Sequence, residues 1–206
     1  EYYRLGFDLK TLMDEVAQLV GDYLNIQNRN DFEYQNAMLR FAKVDPFMAS
    51  DSDLRAMLTQ YVGEDLELSR DECLDLIMSY LVEPNLPKNS LVLIYHYPAS
   101  QAALAKTSQD YQGNNIAKRF ELYVNGLELA NGYDELTDVS EQKKRFESEK
   151  QKNSSNDTPQ DELFLKALEA GLPECSGVAL GLDRILMLKQ TAKKISDVLA
   201  FTFSNA

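Results

Sequence analysis

The hydrophobic pattern is clearest near the start of the chain, over residues 8–24. Apolar residues recur there every three or four positions, so they fall on one side of a helix. They are Leu9, Leu12, Met13, Val16, Leu19, Val20, Tyr23 and Leu24. We therefore predict an amphipathic helix over this range.

Start and stop signals predict three shorter helices in the next part of the chain. The first covers residues 31–41 and ends before a proline, because the residue before a proline is disfavoured in helical geometry. The second runs to Tyr61 and can be capped by Ser50 or Asp51. The third covers residues 69–82, and Pro84 stops it.

The second half of the chain reads mainly as strands. The run LVLIYHYP is apolar and aromatic throughout, which is typical of a buried strand. Residues 116–138 read as strands around two Asn-Gly turns, and residues 177–182 as a strand that enters a helix at Asp183. Residues 140–152 and 160–170 are predicted helices, the second closed by Gly171, with the polar loop NSSNDTPQD between them. This order favours one α+β domain with an antiparallel sheet flanked by helices.

Asn125-Gly126 predicts a tight β-hairpin, since both residues tolerate the positive φ angles of a type I′ turn. The turn sets a register in which the following residues pair: Val124 with Leu127, Tyr123 with Glu128, Leu122 with Leu129, and Glu121 with Ala130. Alternation then divides the side chains between two faces. The apolar face holds Phe120, Leu122, Val124, Leu127 and Leu129, and the other face holds Glu121, Tyr123 and Glu128.

Two carboxylates on the second face are close enough to share a cation. Glu121 and Glu128 are expected to be diagonal neighbours, with backbones roughly 7–8 Å apart. A hard divalent ion with phosphate oxygens would offset the repulsion between them. The alternative is a solvated sheet face with incidental acids, which the spacing alone slightly favours.

A second polar group follows the hairpin. Asn131-Gly132 precedes Tyr133, Asp134 and Glu135, and an amide with a carboxylate at this position could bind an ammonium group. A plain turn is the alternative.

The run SGVALGLDRILMLKQ places two glycines in an apolar strand and Arg184 near the start of a helix. Glycine in a strand often marks close approach by a ligand or another backbone. A helix start attracts phosphate, and an arginine can add bidentate contacts. The pattern G-x-D-R is common, however, and by itself favours a purely structural interpretation.

Composition describes an ordinary globular protein with 44% hydrophobic and 26% charged residues. A net charge of -12 argues against a broad nucleic-acid surface, because phosphate binding requires clustered basic residues. No apolar run reaches the roughly 18 residues of a membrane helix and no signal peptide is visible, so we interpret the chain as cytoplasmic. Cys73, Cys175 and the single His96 do not suggest a disulfide framework or a zinc site.

The two motifs occur together in one known family. FELYVNGLELANGYDELTD followed by SGVALGLDRILML resembles the C-terminal half of the class II lysyl-tRNA synthetase catalytic domain. The resemblance covers essentially the whole chain, including EPNLPKNSLVLIYHYPASQAALA and ISDVLAFTFSNA, and is closest to the synthetase paralogues that attach β-lysine to elongation factor P. It implies an N-terminally incomplete domain over residues 1–206. The end of motif 2 would lie at 1–8, a helical insertion at about 31–83 and motif 3 at about 177–190.

The resemblance also implies roles for individual residues. Glu121 and Glu128 match Mg²⁺-binding acids. ATP would contact Glu128, Leu129, Gly181 and Arg184, with Arg184 on the γ-phosphate, so that Glu128 and Arg184 are the implied catalytic residues. The amino-acid substrate would contact Glu1, Tyr3, Asn131, Tyr133 and Glu135.

The implied reaction has two steps and needs no enzyme nucleophile. A substrate carboxylate attacks the α-phosphate of ATP to give an adenylate, and an acceptor then takes the acyl group. Cys175 and Ser176 are therefore interpreted as packing residues, since neither has a nearby base. His96 could serve as a general base, but it is interpreted as structural or pocket-lining because an adenylate-forming mechanism needs no protein base.

Three functions stay open at this point. Ala179 and Ala130 stand where lysyl-tRNA synthetases commonly carry glycine, and an added methyl in a pocket wall favours (R)-β-lysine, with elongation factor P as acceptor. Transfer of lysine to tRNA is the second possible function. At position 134 the family resemblance leads us to expect histidine or serine, and Asp134 departs from it. The third is a non-catalytic fragment, because the chain lacks motif 1, which forms the family's dimer, and the first part of motif 2. We expect the full-length protein to be a homodimer.

Overall fold

A computed structural model describes residues 1–63, 67–152 and 161–202. Within these ranges a seven-stranded sheet has the order β1-β7-β6-β5-β3-β2, with β4 paired to β5. The strands are β1 (Tyr2–Leu5), β2 (Arg29–Glu33), β3 (Leu91–Pro98), β4 (Thr107–Gln109), β5 (Asn115–Val124), β6 (Leu127–Asp134) and β7 (Cys175–Leu180). The helices are α1 (Leu9–Leu24), α2 (Tyr34–Ala37), α3 (Asp51–Val62), α4 (Arg70–Ile77), α5 (Val139–Lys152), α6 (Glu162–Ala170) and α7 (Leu182–Lys189).

Most predicted helices are confirmed, and their caps explain where they begin. Oδ1 of Asp8 accepts from the backbone N–H of Thr11 at the start of α1. Ser50 and Ser69 form capping boxes at the starts of α3 and α4. Short π-helical turns continue α2 to Ala42 and α4 to Val82. The loop predicted at 153–161 lies outside the described residues except for Asp161, which caps α6.

The helix predicted from residue 31 was wrong at its start. Residues 29–33 form β2, which pairs parallel to β3, and α2 begins at Tyr34. The α+β class with helices flanking the sheet is confirmed, but this pair makes the sheet mixed rather than wholly antiparallel. Residues 29–33 are extended because they pair with the buried strand β3, and the local sequence pattern contains no signal for this pairing.

The two faces of the sheet pack against different helices. One face packs against α1, and its buried residues include Leu91, Leu93, Phe120, Leu122, Val124, Leu129 and Ala130. The opposite face packs against the helical segment between β2 and β3, with Val92, Ile94, Tyr97, Ala117 and Tyr123 among its buried residues. The predicted division of the hairpin side chains between two faces is confirmed. We call the second face the site face; it remains accessible toward β6, β7 and β1.

The hairpin turn is confirmed. The strand register agrees with the prediction for the first two residue pairs after the turn and then shifts by one residue. Asn125 and Gly126 have φ angles of 56° and 82°. Tyr123 pairs with Glu128 as predicted, whereas Leu122 pairs with Ala130 and Glu121 with Asn131. The predicted pairs Leu122–Leu129 and Glu121–Ala130 were wrong because β6 contains a β-bulge, an extra residue opposite β5.

The second Asn-Gly pair is not a turn. Asn131 and Gly132 lie inside β6. A Cβ atom on Gly132 would lie 2.3 Å from Cε1 of Phe120, so glycine is required here by close packing of the ring and not by a positive φ angle.

Both cysteines are buried free thiols. The described part of the chain contains no cluster of three or more metal-ligating side chains. None of its helices is both long and apolar enough to cross a membrane.

Candidate active site

Strand register brings the predicted site residues together on the site face. Glu121 on β5 pairs with Asn131 on β6, and Asn131 pairs with Ala179 on β7. A parallel row runs from Arg119 through Tyr133 and Gly177 to Tyr3 on β1. Residues that are far apart in sequence therefore form one continuous polar surface across four strands.

Glu121 is held by three donors in a nearly buried position, with 8% of its surface exposed. Its Oε2 accepts from the hydroxyl of Tyr97 at 2.6 Å and from the hydroxyl of Tyr123. Its Oε1 accepts from Nη2 of Arg119. A carboxylate offers about four lone-pair positions, so one remains for a further partner.

Glu128 lies next to Arg184 at the β6 end of the hairpin. Nη1 of Arg184 donates to the backbone carbonyl of Glu128 at 2.8 Å and lies 3.4 Å from its Oε2. Burial and the charge of Glu121 raise the pKa of Glu128. Glu121, Glu128 and Arg184 thus lie together on the site face, as the sequence predicted.

Sequence reasoning missed a third carboxylate at this end, Glu83. Burial, then Glu121 and Glu128, raise its pKa. Its backbone carbonyl would lie 2.7 Å from a Cβ atom on Gly126, so the hairpin turn sits directly against it. The excess of negative charge here is the kind that a divalent cation offsets.

The start of α7 is attached to the hairpin through backbone. Gly181, the residue before α7, donates its N–H to the carbonyl of Leu129 at 2.8 Å. The side chain of Leu129 is buried on the opposite face with α1. Only the backbone of Leu129 therefore lies near the site.

A group of acidic side chains, which we call the acidic pocket, lies at the other end of the site face. Glu135 is buried, and burial together with Glu1 and Asp134 raises its pKa to about 7. The hydroxyl of Tyr3 donates to Glu1. A Cβ atom on Gly177 would lie 2.4 Å from Oε1 of Glu135 and 2.6 Å from the ring of Tyr3. Gly177 therefore allows these side chains to close over the strand.

Two alanines singled out from the sequence lie in different environments. Ala179 is exposed on the site face beside Asn131. Ala130 is buried in the cluster that packs against α1. The prediction that Ala130 lines the pocket was therefore wrong, because the bulge turns it toward the core.

Asp134 and His96 lie outside the site. Asp134 forms ion pairs with Lys106 and Lys118, each at 3.1 Å, and alternation places it on the face opposite Tyr133. His96 has a φ of 60° at an irregularity in β3, and its Nδ1 lies 3.6 Å from Oε1 of Glu33. Both observations agree with structural roles. Cys175 and Ser176 are likewise buried, and Oγ of Ser176 donates to the carbonyl of Phe7.

Sequence reasoning also missed Arg119. Its Nε donates to Oδ1 of Asn131 at 3.1 Å, and its guanidinium lies over the rings of Tyr97 and Tyr133. Its position two residues before Glu121 on the same strand was the available signal, since such residues share a face.

A mixed sheet with a hairpin carrying two acids, followed by an arginine at the start of a helix, is the arrangement expected for the catalytic domain of a class II aminoacyl-tRNA synthetase. A family model described as tRNA synthetases class II (D, K and N) matches residues 9–205, and the chain belongs to this family.

Among individual relatives, the chain is similar to proteins named elongation factor P--(R)-beta-lysine ligase. That of Salmonella typhi is 44% identical over 212 residues, which cover 100% of this chain and 65% of the relative. Those of Salmonella dublin and Pectobacterium carotovorum are 43% and 41% identical with the same coverage. The chain thus spans 65% of the length of these relatives.

Proposed function

We propose that the complete gene product activates (R)-β-lysine with ATP as an adenylate and transfers the β-lysyl group to a lysine of elongation factor P. One observation carries this proposal. The same face of the sheet holds Glu128 and Arg184, which suit a nucleotide phosphate with its cation, at one end and the acidic pocket at Glu135 at the other. The names of the relatives support the choice of amino acid and acceptor.

The first end suits ATP and Mg²⁺. Glu128 and the remaining acceptor position of Glu121 would hold the ion, which typically binds one or two carboxylates together with phosphate oxygens. Bound Mg²⁺ would neutralise charge on the phosphates. Arg184 would donate to a phosphate from the start of α7, and Gly181, directly before α7, would contact the nucleotide.

The acidic pocket suits a substrate amino group. Glu135 is buried with a raised pKa, and within the described residues no lysine or arginine forms an ion pair with it. An ammonium group between Glu135 and Glu1 would supply the missing positive charge. Asn131, Tyr133 and Ala179 would line the space between this pocket and the phosphates.

The two steps then follow from positioning. A carboxylate oxygen of the substrate attacks the α-phosphorus of ATP, and pyrophosphate leaves. The ε-amine of the acceptor lysine next attacks the acyl carbon, AMP leaves, and the amine loses a proton. This chain would contribute orientation and charge stabilisation rather than a covalent nucleophile.

The test is ATP–pyrophosphate exchange by the complete gene product with (R)-β-lysine or α-lysine, followed by transfer to elongation factor P or to tRNA. We expect preference for (R)-β-lysine and labelling of the protein. Preference for α-lysine with efficient tRNA charging would overturn the proposal in favour of a lysyl-tRNA synthetase.

The same assay on residues 1–206 alone addresses the non-catalytic alternative. We propose that residues 1–206 alone have little or no exchange activity, because they span only 65% of the length of the ligases they resemble. Exchange at a rate comparable to that of the complete protein would contradict this.

A further inference from the structure

The side chain of Arg119 lies between the two ends of the candidate site, and 17% of it is exposed. Its three nitrogens bind acceptors on three different elements. Nη2 donates to Glu121 on β5, Nε to Oδ1 of Asn131 on β6 at 3.1 Å, and Nη1 to the carbonyl of Gln101 at 3.1 Å. Gln101 belongs to the short helical turn Ala99–Gln101 that follows β3.

Aromatic rings fix the faces of the same guanidinium. Its central carbon lies 4.6 Å from the ring centroid of Tyr97 and 5.9 Å from that of Tyr133. A planar cation with acceptors at its edges and rings at its faces has one favourable orientation. A lysine ammonium could pair with Glu121, but it lacks the rigid fork that reaches all three acceptors at once.

The contact with Asn131 has a defined polarity. Arginine only donates hydrogen bonds, so the atom of Asn131 that faces Arg119 must be Oδ1. The amide nitrogen of Asn131 therefore points away from Arg119 and is the end that donates to other groups, among them the neighbouring hydroxyl of Tyr133. Without Arg119, either end of the amide could face the site.

We propose that Arg119 is a positioning residue for the amino-acid substrate: it fixes the orientation of the Asn131 amide and holds Glu121 beside it. This inference rests on the proposed function. Arg119 would thereby link Glu121, at the phosphate end of the site face, to Asn131, at the substrate end. A purely structural role, as a buried counter-ion of Glu121, is the competing explanation.

Arg145 provides a matched control for that explanation. It has the same exposed fraction, 17%, and pairs with Glu141. It also donates to the carbonyls of Ala103 and Ala105, just beyond Gln101. Within the described residues, its hydrogen bonds reach none of the candidate-site side chains.

The experiment compares Arg119→Lys with Arg145→Lys in the complete gene product, using ATP–pyrophosphate exchange at varied (R)-β-lysine. We expect Arg119→Lys to raise KM for the amino acid between about 10- and 100-fold, and to lower kcat by a smaller factor. Arg145→Lys should keep both close to wild-type values. Equal KM values for the two variants, in an active wild-type background, would overturn the positioning role.

Two variants of Asn131 test whether Arg119 acts through it. In an Asn131→Ala background, adding Arg119→Lys should raise KM much less than it does in the wild type, whereas fully additive effects would contradict the inference. Asn131→Asp keeps an acceptor for Arg119 but removes the amide N–H, so it should fold yet bind (R)-β-lysine poorly. A normal KM in Asn131→Asp would also overturn the role, even if Arg119→Lys fails to fold. Absence of exchange by the wild-type protein would instead refute the proposed function.

Discussion

Glu128 and Asn131 lie on the same face of the sheet although they are three positions apart on β6. Residues an odd number of positions apart in a regular strand point to opposite faces. The bulge between them removes this constraint, and both Leu129 and Ala130 are buried on the α1 side. The irregularity therefore places the hairpin acids and the substrate-side residues on one surface, which a regular hairpin would divide between two.

Gly132→Ala should destabilise the fold, because its Cβ atom would lie 2.3 Å from Cε1 and 2.7 Å from Cζ of Phe120. The ring is fully buried and cannot move freely. We expect a loss of about 1–3 kcal/mol in the free energy of unfolding, measured by urea denaturation. Adding Phe120→Leu should cost less in the Gly132→Ala background than in the wild type. A Gly132→Ala protein as stable as the wild type would contradict the packing seen here.

Gly177→Ala should impair substrate binding more than stability. The added methyl would meet Glu135 and the ring of Tyr3, and Tyr3 is 52% exposed and free to shift. A displaced acidic pocket should raise KM for (R)-β-lysine by about tenfold or more in the exchange assay.

Ser176→Ala is the control for this prediction, because Ser176 is adjacent but lies on the opposite face. It loses the hydrogen bond from Oγ to the carbonyl of Phe7, at a cost of about 1 kcal/mol in stability. Its KM should stay unchanged. A KM in Gly177→Ala no higher than in Ser176→Ala would argue against a substrate pocket at Glu135.

Local sequence signals predicted much of this architecture. The 3.6-residue pattern identified α1, the serine caps identified α3 and α4, and Asn125-Gly126 identified the hairpin. Each of these features is determined by interactions within a few residues. Alternation around the hairpin also predicted that Glu121 and Glu128 share a face, whereas Arg184 was placed with them only through the resemblance to class II synthetases.

The features that were missed all depend on contacts between distant segments. β2 exists because it pairs with β3 across about 60 residues. The local sequence predicts that Gly132 lies in a turn, whereas in the structure it lies in a strand and makes room for the ring of Phe120. The strand position of Arg119 indicates that it shares a face with Glu121, but its contact with Asn131 follows only when β5 and β6 are paired through the bulge. No local propensity encodes such pairings.

Arg184→Gln should reduce activity with little change in stability. The side chain is 45% exposed, so its ion pair with Glu128 contributes little to folding. Loss of a donor to the phosphates should lower the exchange rate by about 10²–10³-fold. Arg55→Gln removes a guanidinium that donates to the carbonyl of Leu68 on the helical segment, and should retain normal exchange. A comparable rate in both variants would remove Arg184 from the proposed site.

Glu135→Gln should change how stability depends on pH. The folded protein raises the pKa of Glu135 from 4.5 to about 7, through burial, Glu1 and Asp134. The folded state therefore binds the proton more tightly than the unfolded state. Protonation of Glu135 therefore stabilises the folded state. This stabilisation is complete below the unfolded pKa and is lost as pH rises to the folded pKa. In the ligand-free wild type, this residue should lower stability by up to about 3 kcal/mol between pH 4.5 and pH 7.

Glu135→Gln has no carboxyl group to titrate at this position. The difference in free energy of unfolding between this variant and the wild type should therefore increase in favour of the variant from pH 4.5 to pH 7 and then level off. Urea denaturation at several pH values measures the difference. Glu174→Gln serves as the control, because Glu174 is exposed and Lys106 lowers its pKa instead. A saturating concentration of (R)-β-lysine should abolish the advantage of Glu135→Gln, since a bound ammonium group stabilises the ionised carboxylate of the wild type. If the advantage persists with ligand, the amino group of the substrate does not bind at Glu135.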